Sequence, residues 1–165
     1  MLGRDKKNEV YWQKLTGLEI RKVLSRKRKV VKRFRFATRG EAISNLDDIK
    51  KIRDICIKNK KIVFWLPTRA WRGYLRSEIE TTLKPISNLR IHASLDPSNT
   101  IEEFKDLVDH GWSTMFYGND HHHLYEEVPV MKCHKTWKKN KGIKCDTCTD
   151  GCFSSKQTHI WLKQH

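Results

Sequence analysis

Residues 61–66 read KIVFWL, residues 89–95 read LRIHASL and residues 113–117 read STMFY. These three stretches decide the fold. The first is a short continuous apolar run, the signature of a parallel strand covered on both faces. The second and third have the length and apolar content of further strands. What separates them is helical in period. Residues 71–83 have helical character and stop before Pro85. Ser98-Asn99-Thr100 is a helix-start signal, followed by an apolar face of Ile101, Phe104, Leu107 and Val108 that ends near Gly111.

Outside this centre the theme repeats. Val31 to Ala37 (VKRFRFA) alternates apolar and basic residues as a strand does. Asn45 or Ser44 is placed to cap a helix containing Leu46, Ile49, Ile52, Ile55 and Cys56. Val128 to Cys133 and His159 to Leu162 are further strand candidates. Strands alternating with helices predict an α/β fold, a small mostly parallel sheet of βα units. Four or five strands resembling a partial barrel are expected, because 165 residues fall short of the roughly 250 of a full barrel. Residues 1–30 form a basic N-terminal arm, weakly helical in pattern. Residues 31–165 form the α/β domain, whose segment 131–165 is cysteine-rich.

Charge narrows the function. Lys and Arg number 34 against 19 Asp and Glu, a formal net charge of +15. The excess sits at the ends: residues 1–39 carry +11, residues 40–130 carry −2 and residues 131–165 carry +6. Two basic blocks around a balanced body point to a polyanion partner, nucleic acid first. The phosphate contacts assigned on this basis are Arg26, Lys27, Arg28, Lys29, Lys32 and Arg33. Tyr11, Trp12, Phe34, Phe36 and Trp137 lie in or beside the basic segments and are candidates to stack on exposed bases. No apolar run approaches the roughly 20 residues of a membrane span. The charged N-terminus lacks the apolar core of a secretory signal. The expected location is a cytosol, where cysteines stay thiols or bind metal.

Ligands of parallel α/β folds bind at the carboxyl ends of the strands. Here those ends are Thr38-Arg39-Gly40, Pro67-Thr68-Arg69, Ser94-Leu95-Asp96, Gly118-Asn119-Asp120 and Cys133-His134. Arg39 and Arg69 suit a phosphate. Asp96, Asp120, His121 and His123 have the chemistry to bind a divalent ion or move a proton. Asp96, in Asp-Pro-Ser-Asn, equally has the chemistry of a turn cap. His92, in mid-strand, reads as a hydrogen-bonded interior histidine, and Cys56 as core.

Cys133, Cys145, Cys148 and Cys152 are spaced C-x11-C-x2-C-x3-C. Four thiolates so close in sequence can wrap one metal, zinc by base rate, with an iron–sulfur cluster as the alternative. Gly142 and Gly151 permit the turns this requires.

The stretches FRFATRGEAIS, FWLPTRAWR, NLRIHASLDPSN and KCHKTWKKNKGIKCDTCTDGCF, with the terminal IWLKQH, carry a resemblance across residues 34–165. They resemble the phage and plasmid family called gene product eighty-eight. Leu89–Asn99 and Cys133–Cys152 are its most specific parts. The resemblance implies a compact α/β phage protein with a cysteine cluster near its end, and little about activity. The chain departs from the family pattern in having no cysteine before Cys56, and Arg39-Gly40-Glu41 where that pattern has a Gly-Asp pair.

The leading expectation is therefore a phage-type, basic nucleic-acid-binding protein with a four-cysteine metal site. A metal-dependent nuclease acting on DNA or RNA is the enzymatic alternative, using the Asp96, Asp120, His121 and His123 group. A host protein is the third possible partner, an acidic factor held by the basic ends.

Overall fold

The computed structural model describes residues 33–37, 40–119, 128–137, 148 and 151–163. Six strands form one parallel sheet: β1 (Arg33–Arg35), β2 (Val63–Thr68), β3 (Leu89–Leu95), β4 (Ser113–Tyr117), β5 (Val130–Lys132) and β6 (His159–Leu162). Their order is β1-β2-β3-β4-β6-β5. The α/β expectation holds, with six strands rather than four or five. In a stretch of barrel the neighbours would follow chain order. Here β6 lies between β4 and β5, and it pairs in parallel with both. The chain divides into two compact units, Met1–Arg90 and Ile91–His165, with the boundary inside β3. Among the described residues no helix is long and apolar enough to cross a membrane.

In the first unit, α1 (Leu46–Lys58) begins at Asn45, whose side chain accepts from the Asp48 amide at 3.0 Å. Asp48 in turn accepts from the Ser44 amide at 2.9 Å, so one orphan donor of the helix start and the amide just before the cap are both satisfied. Ile49, Ile52, Ile55 and Cys56 are buried, as their spacing requires, while Leu46 at the first turn is exposed. Burial also pushes the Cys56 thiol up to about 12, which makes it an inert core residue.

Strand β2 runs two residues past Leu66, through Pro67 to Thr68. The proline is tolerated because it falls on the side that β1 borders, beyond β1's last register partner, Arg35 opposite Trp65. Phe34 and Phe36 pack on Phe64 at 5.8 and 5.4 Å between ring centroids. Phe36 is fully buried. Phe36 therefore belongs to the core and has no face free to stack on a base, whereas Phe34 is half-buried.

Residues 71–83 are not one helix. A 3-10 turn (Ala70–Arg72) ends at Gly73, which is extended at φ −126° and ψ −171°. Helix α2 (Arg76–Glu78) then continues as a π turn, Ile79–Leu83, closed by the Lys84 amide on the Ile79 carbonyl at 3.1 Å. Burial of Trp71 and Leu75 on either side of the break overrides helical continuity.

One polar side chain fastens the far end of α1. The Asn88 amide nitrogen donates to the carbonyls of Cys56, Asn59 and Ile62 at 3.1, 3.3 and 3.0 Å. The Cys56 and Asn59 carbonyls also accept the Asn59 and Ile62 amides, so Asn88→Ala removes a shared donor without orphaning all three acceptors and is expected to cost about 1–2 kcal/mol. Asn88→Asp is expected to cost more, since a carboxylate turned on three carbonyls has no proton to give. Urea unfolding of the two variants beside the parent checks both the size and the order.

Candidate functional site

Parallel strands deliver their carboxyl ends to one edge. In the first unit, Glu41 is bonded to the carboxyl end of β2, a role its sequence position did not indicate. Its Oε1 accepts from the Ala42 amide at 2.8 Å, the Ile43 amide at 3.1 Å and the Thr68 hydroxyl at 2.7 Å. Its Oε2 accepts from the Arg69 amide. A carboxylate thus fastens the end of β2 through the backbone of Arg69, whose residue is exposed. Arg33 is half-buried at the start of β1, at the opposite edge. Arg26, Lys27, Arg28, Lys29, Lys32 and Arg39, with Tyr11 and Trp12, lie outside the described residues.

In the second unit, Asp96 follows β3 and closes a turn. Its Oδ1 accepts from the amide and the hydroxyl of Ser98, and its own amide donates to Asn99 Oδ1 at 2.9 Å. This is the turn that starts α3 (Ile101–Asp109), where Thr100 and Glu103 form a reciprocal cap. Asp120, His121 and His123 lie outside the described residues, so Asp96 is the one described member of the proposed acid–base group.

The richest arrangement is at the ends of β5 and β6. After Cys133 the chain turns through α4 (His134–Trp137). A single turn of helix has little stability of its own, and here it is held by β6. The Trp161 carbonyl accepts from the Cys133 amide at 2.9 Å and from the Trp137 indole at 3.1 Å. Thr136 accepts from the Lys163 amide at 3.1 Å. Trp161 is buried and donates its indole proton to the Gly118 carbonyl at 2.9 Å. The rings of Trp137 and Trp161 meet edge to face with centroids 4.5 Å apart.

Two exposed lysines lie on this pair. The Lys132 ammonium is 5.1 Å from the Trp137 ring centroid and 5.2 Å from that of Trp161. The Lys163 ammonium is 5.3 Å from the Trp137 centroid. Each contact is worth about 0.5–1 kcal/mol at an exposed site, enough to gather two flexible cations around one ring. Both ammonium groups thus stand beside the Trp137 ring at the exposed margin of the ends of β5 and β6. The sequence pointed to Trp137 but not to Lys132, Lys163 or Trp161. The available signal was the same basic–aromatic pairing at two strand ends, K-x4-W at 132–137 and W-L-K at 161–163.

Of the cysteines, Cys133 follows β5, Cys152 lies in the 3-10 turn Gly151–Phe153, and Cys145 lies outside the described residues. Cys133, Cys148 and Cys152 are thiols and half-buried. Among the described residues no three His, Cys, Asp or Glu side chains are grouped so as to hold a metal.

The turn bearing Cys152 is anchored to the core by a histidine. The Thr158 hydroxyl donates to the Gly151 carbonyl at 3.0 Å and lies 3.2 Å from His92 Nε2. Its one proton being used, the hydroxyl accepts from His92, which fixes the Nε2–H tautomer. Gly151 leaves room for this contact, since a Cβ there would fall 2.8 Å from Thr158 Cβ. Beside it, His159 Nδ1 is 2.9 Å from the Thr114 hydroxyl. His92 is the hydrogen-bonded interior histidine that its mid-strand position indicated.

Comparison with family models, curated proteins and solved structures returns no match.

Complete burial, and secondarily His159, push His92 down to about 3, against about 6.5 in an unfolded chain. As pH falls the unfolded chain takes the proton first, so the stability is whole above about 6.5 and is lost as pH falls toward 3. Relative to His92→Gln, the parent is expected to lose up to about 1.4 kcal/mol per pH unit across that window. Urea titrations of both proteins at pH 7, 5.5 and 4 measure it. A constant difference between them would show that His92 is not buried neutral.

Proposed function

We propose that the protein binds nucleic acid, with Lys132 and Lys163 clamping a backbone phosphate. The observation that carries this reading is the pair of ammonium groups gathered over Trp137 at 5.1 and 5.3 Å. Cation–aromatic contact restricts both lysines before the ligand arrives, which lowers the ordering cost of binding. The net charge of +15 supplies the long-range attraction. The basic residues 26–29, 32, 33, 39 and 69 supply further phosphate contacts in this proposal. That the protein is phage-type rests on the resemblance of the sequence, and its place in a cytosol on the charged N-terminus without the apolar core of a secretory signal.

Binding through several phosphates is expected to weaken steeply with salt, by about 0.7–0.9 logarithmic units per phosphate for each tenfold rise. Lys132→Ala and Lys163→Ala are each expected to weaken binding to any sequence and to reduce that slope by about one phosphate. Filter binding of DNA and RNA across a salt series measures both. No retention of either polymer at low salt would overturn the reading.

We propose further that zinc, or alternatively an iron–sulfur cluster, is held by Cys133, Cys145, Cys148 and Cys152. Their spacing supports this, as does a polar, glycine-containing segment with few apolar side chains to order it. Four thiolates leave no open position, so the ion would be structural. Protein purified without oxygen is expected to be colourless with about one zinc per chain, or brown with absorbance near about 400 nm if it holds a cluster. Metal-free folded protein whose four thiols all react freely would remove the site.

A further inference from the structure

The loop after β2 displays its side chains in an order that packing alone does not require. Trp71 and Leu75 are both buried, while Arg72, Gly73 and Tyr74 between them are exposed. Tyr74 is 81% exposed, more than any other large hydrophobic side chain among the described residues. A lone exposed aromatic is ordinary. This one stands on a tip anchored on both sides, because the core holds Trp71 before it and Leu75 after it. Further back, the Glu41 carboxylate holds the Arg69 amide and the Thr68 hydroxyl. The turn closes through the Arg72 amide on the Arg69 carbonyl at 3.1 Å and the Gly73 amide on the Ala70 carbonyl at 3.3 Å. The Arg72 guanidinium lies 5.1 Å from the Trp71 ring centroid. An exposed ring on an anchored stretch of backbone thus sits two residues from an arginine whose guanidinium lies on a buried indole, with the exposed Arg69 at the base of the loop.

Ring and cation together fit one ligand chemistry. A base stacks on an aromatic face, and the adjoining phosphate accepts from a guanidinium. The base must be unpaired, since in a duplex both of its faces are already stacked. We infer that Tyr74, with Arg72 and Arg69, is a stacking site for single-stranded nucleic acid. This deepens the proposed function and rests on it. It adds a base contact in the first unit to the phosphate contacts already assigned, and a preference for single strands over duplex. The anionic partner is argued from the charge of the chain, +15.

The test uses the full chain with a short pyrimidine oligonucleotide, single-stranded and as the duplex of the same sequence. Tyr74→Ala is expected to weaken single-strand binding by about 5- to 100-fold and to leave duplex binding unchanged. Tyr74→Phe, which keeps the ring, is expected to bind as the parent does. Arg72→Ala is expected to weaken single-strand binding and to lower its salt slope. Photocrosslinking to a bromouridine-containing strand is expected to label the peptide holding Tyr74. The inference is overturned if Tyr74→Ala binds single strands like the parent, or if it loses single-strand and duplex binding alike. It is overturned equally if the crosslinks avoid this peptide. A parent protein that binds neither polymer would overturn the proposed function as well, and so separates the two failures.

Discussion

The C-terminal unit depends on Trp161. Its carbonyl takes two donors, the Cys133 amide and the Trp137 indole. Its indole proton goes to Gly118 at the end of β4, and its ring meets Phe116, Trp137 and the Lys132 ammonium. One residue on β6 therefore joins the ends of the strands on both of its sides, β4 and β5. A buried indole whose polar hydrogen is satisfied brings large apolar burial with little desolvation penalty. Lys132 lies against this ring, and both lysines lie against Trp137, whose indole proton the Trp161 carbonyl accepts.

Gly118 shows how tightly that edge is built. A Cβ there would come 2.7 and 2.8 Å from the Phe116 ring, against a packed aromatic with nowhere to go. The carbonyl that receives the Trp161 indole belongs to this residue. Close approach of backbone to ring and placement of the acceptor are the same constraint, and only glycine meets both.

Much of this fold was legible, for physical reasons that differ by element. Strands β3, β4 and β6 occupy the residues their sequence pattern marked, because short segments rich in apolar residues and bounded by polar turns leave little choice. Helices α1 and α3 were readable from their caps, Asn45 and Thr100, where a side chain replaces a missing backbone partner. The break at Gly73 was not readable. Helical spacing of apolar residues persists across it, and only the burial of both Trp71 and Leu75 shows that the chain bends outward between them. The insertion of β6 between β4 and β5 was also hidden, since local pattern carries no information on strand order. In the site, Trp137 stood out by composition. Its lysine partners did not, because 34 lysines and arginines give no local mark of which two share a ring. Asp96 was marked by its residue type for catalysis and for a turn alike; its bonds to Ser98 give it the turn.

At the end of β2 the backbone donors are taken up from within the first unit. In α/β folds, backbone amides at the ends of strands commonly receive phosphate. Here the amides of Ala42, Ile43 and Arg69, with the Thr68 hydroxyl, are all turned on Glu41. The protein supplies its own anion to that cradle. An external phosphate would have to displace a carboxylate tethered within the same unit, whose effective concentration no free ligand matches. The loop gains rigidity from this arrangement and loses a backbone anion site. Arg69, Arg72 and Tyr74 form the exposed margin of this loop, carried on a backbone that the internal carboxylate holds at Arg69; in the nucleic-acid reading proposed above, contact with the partner would fall to these side chains.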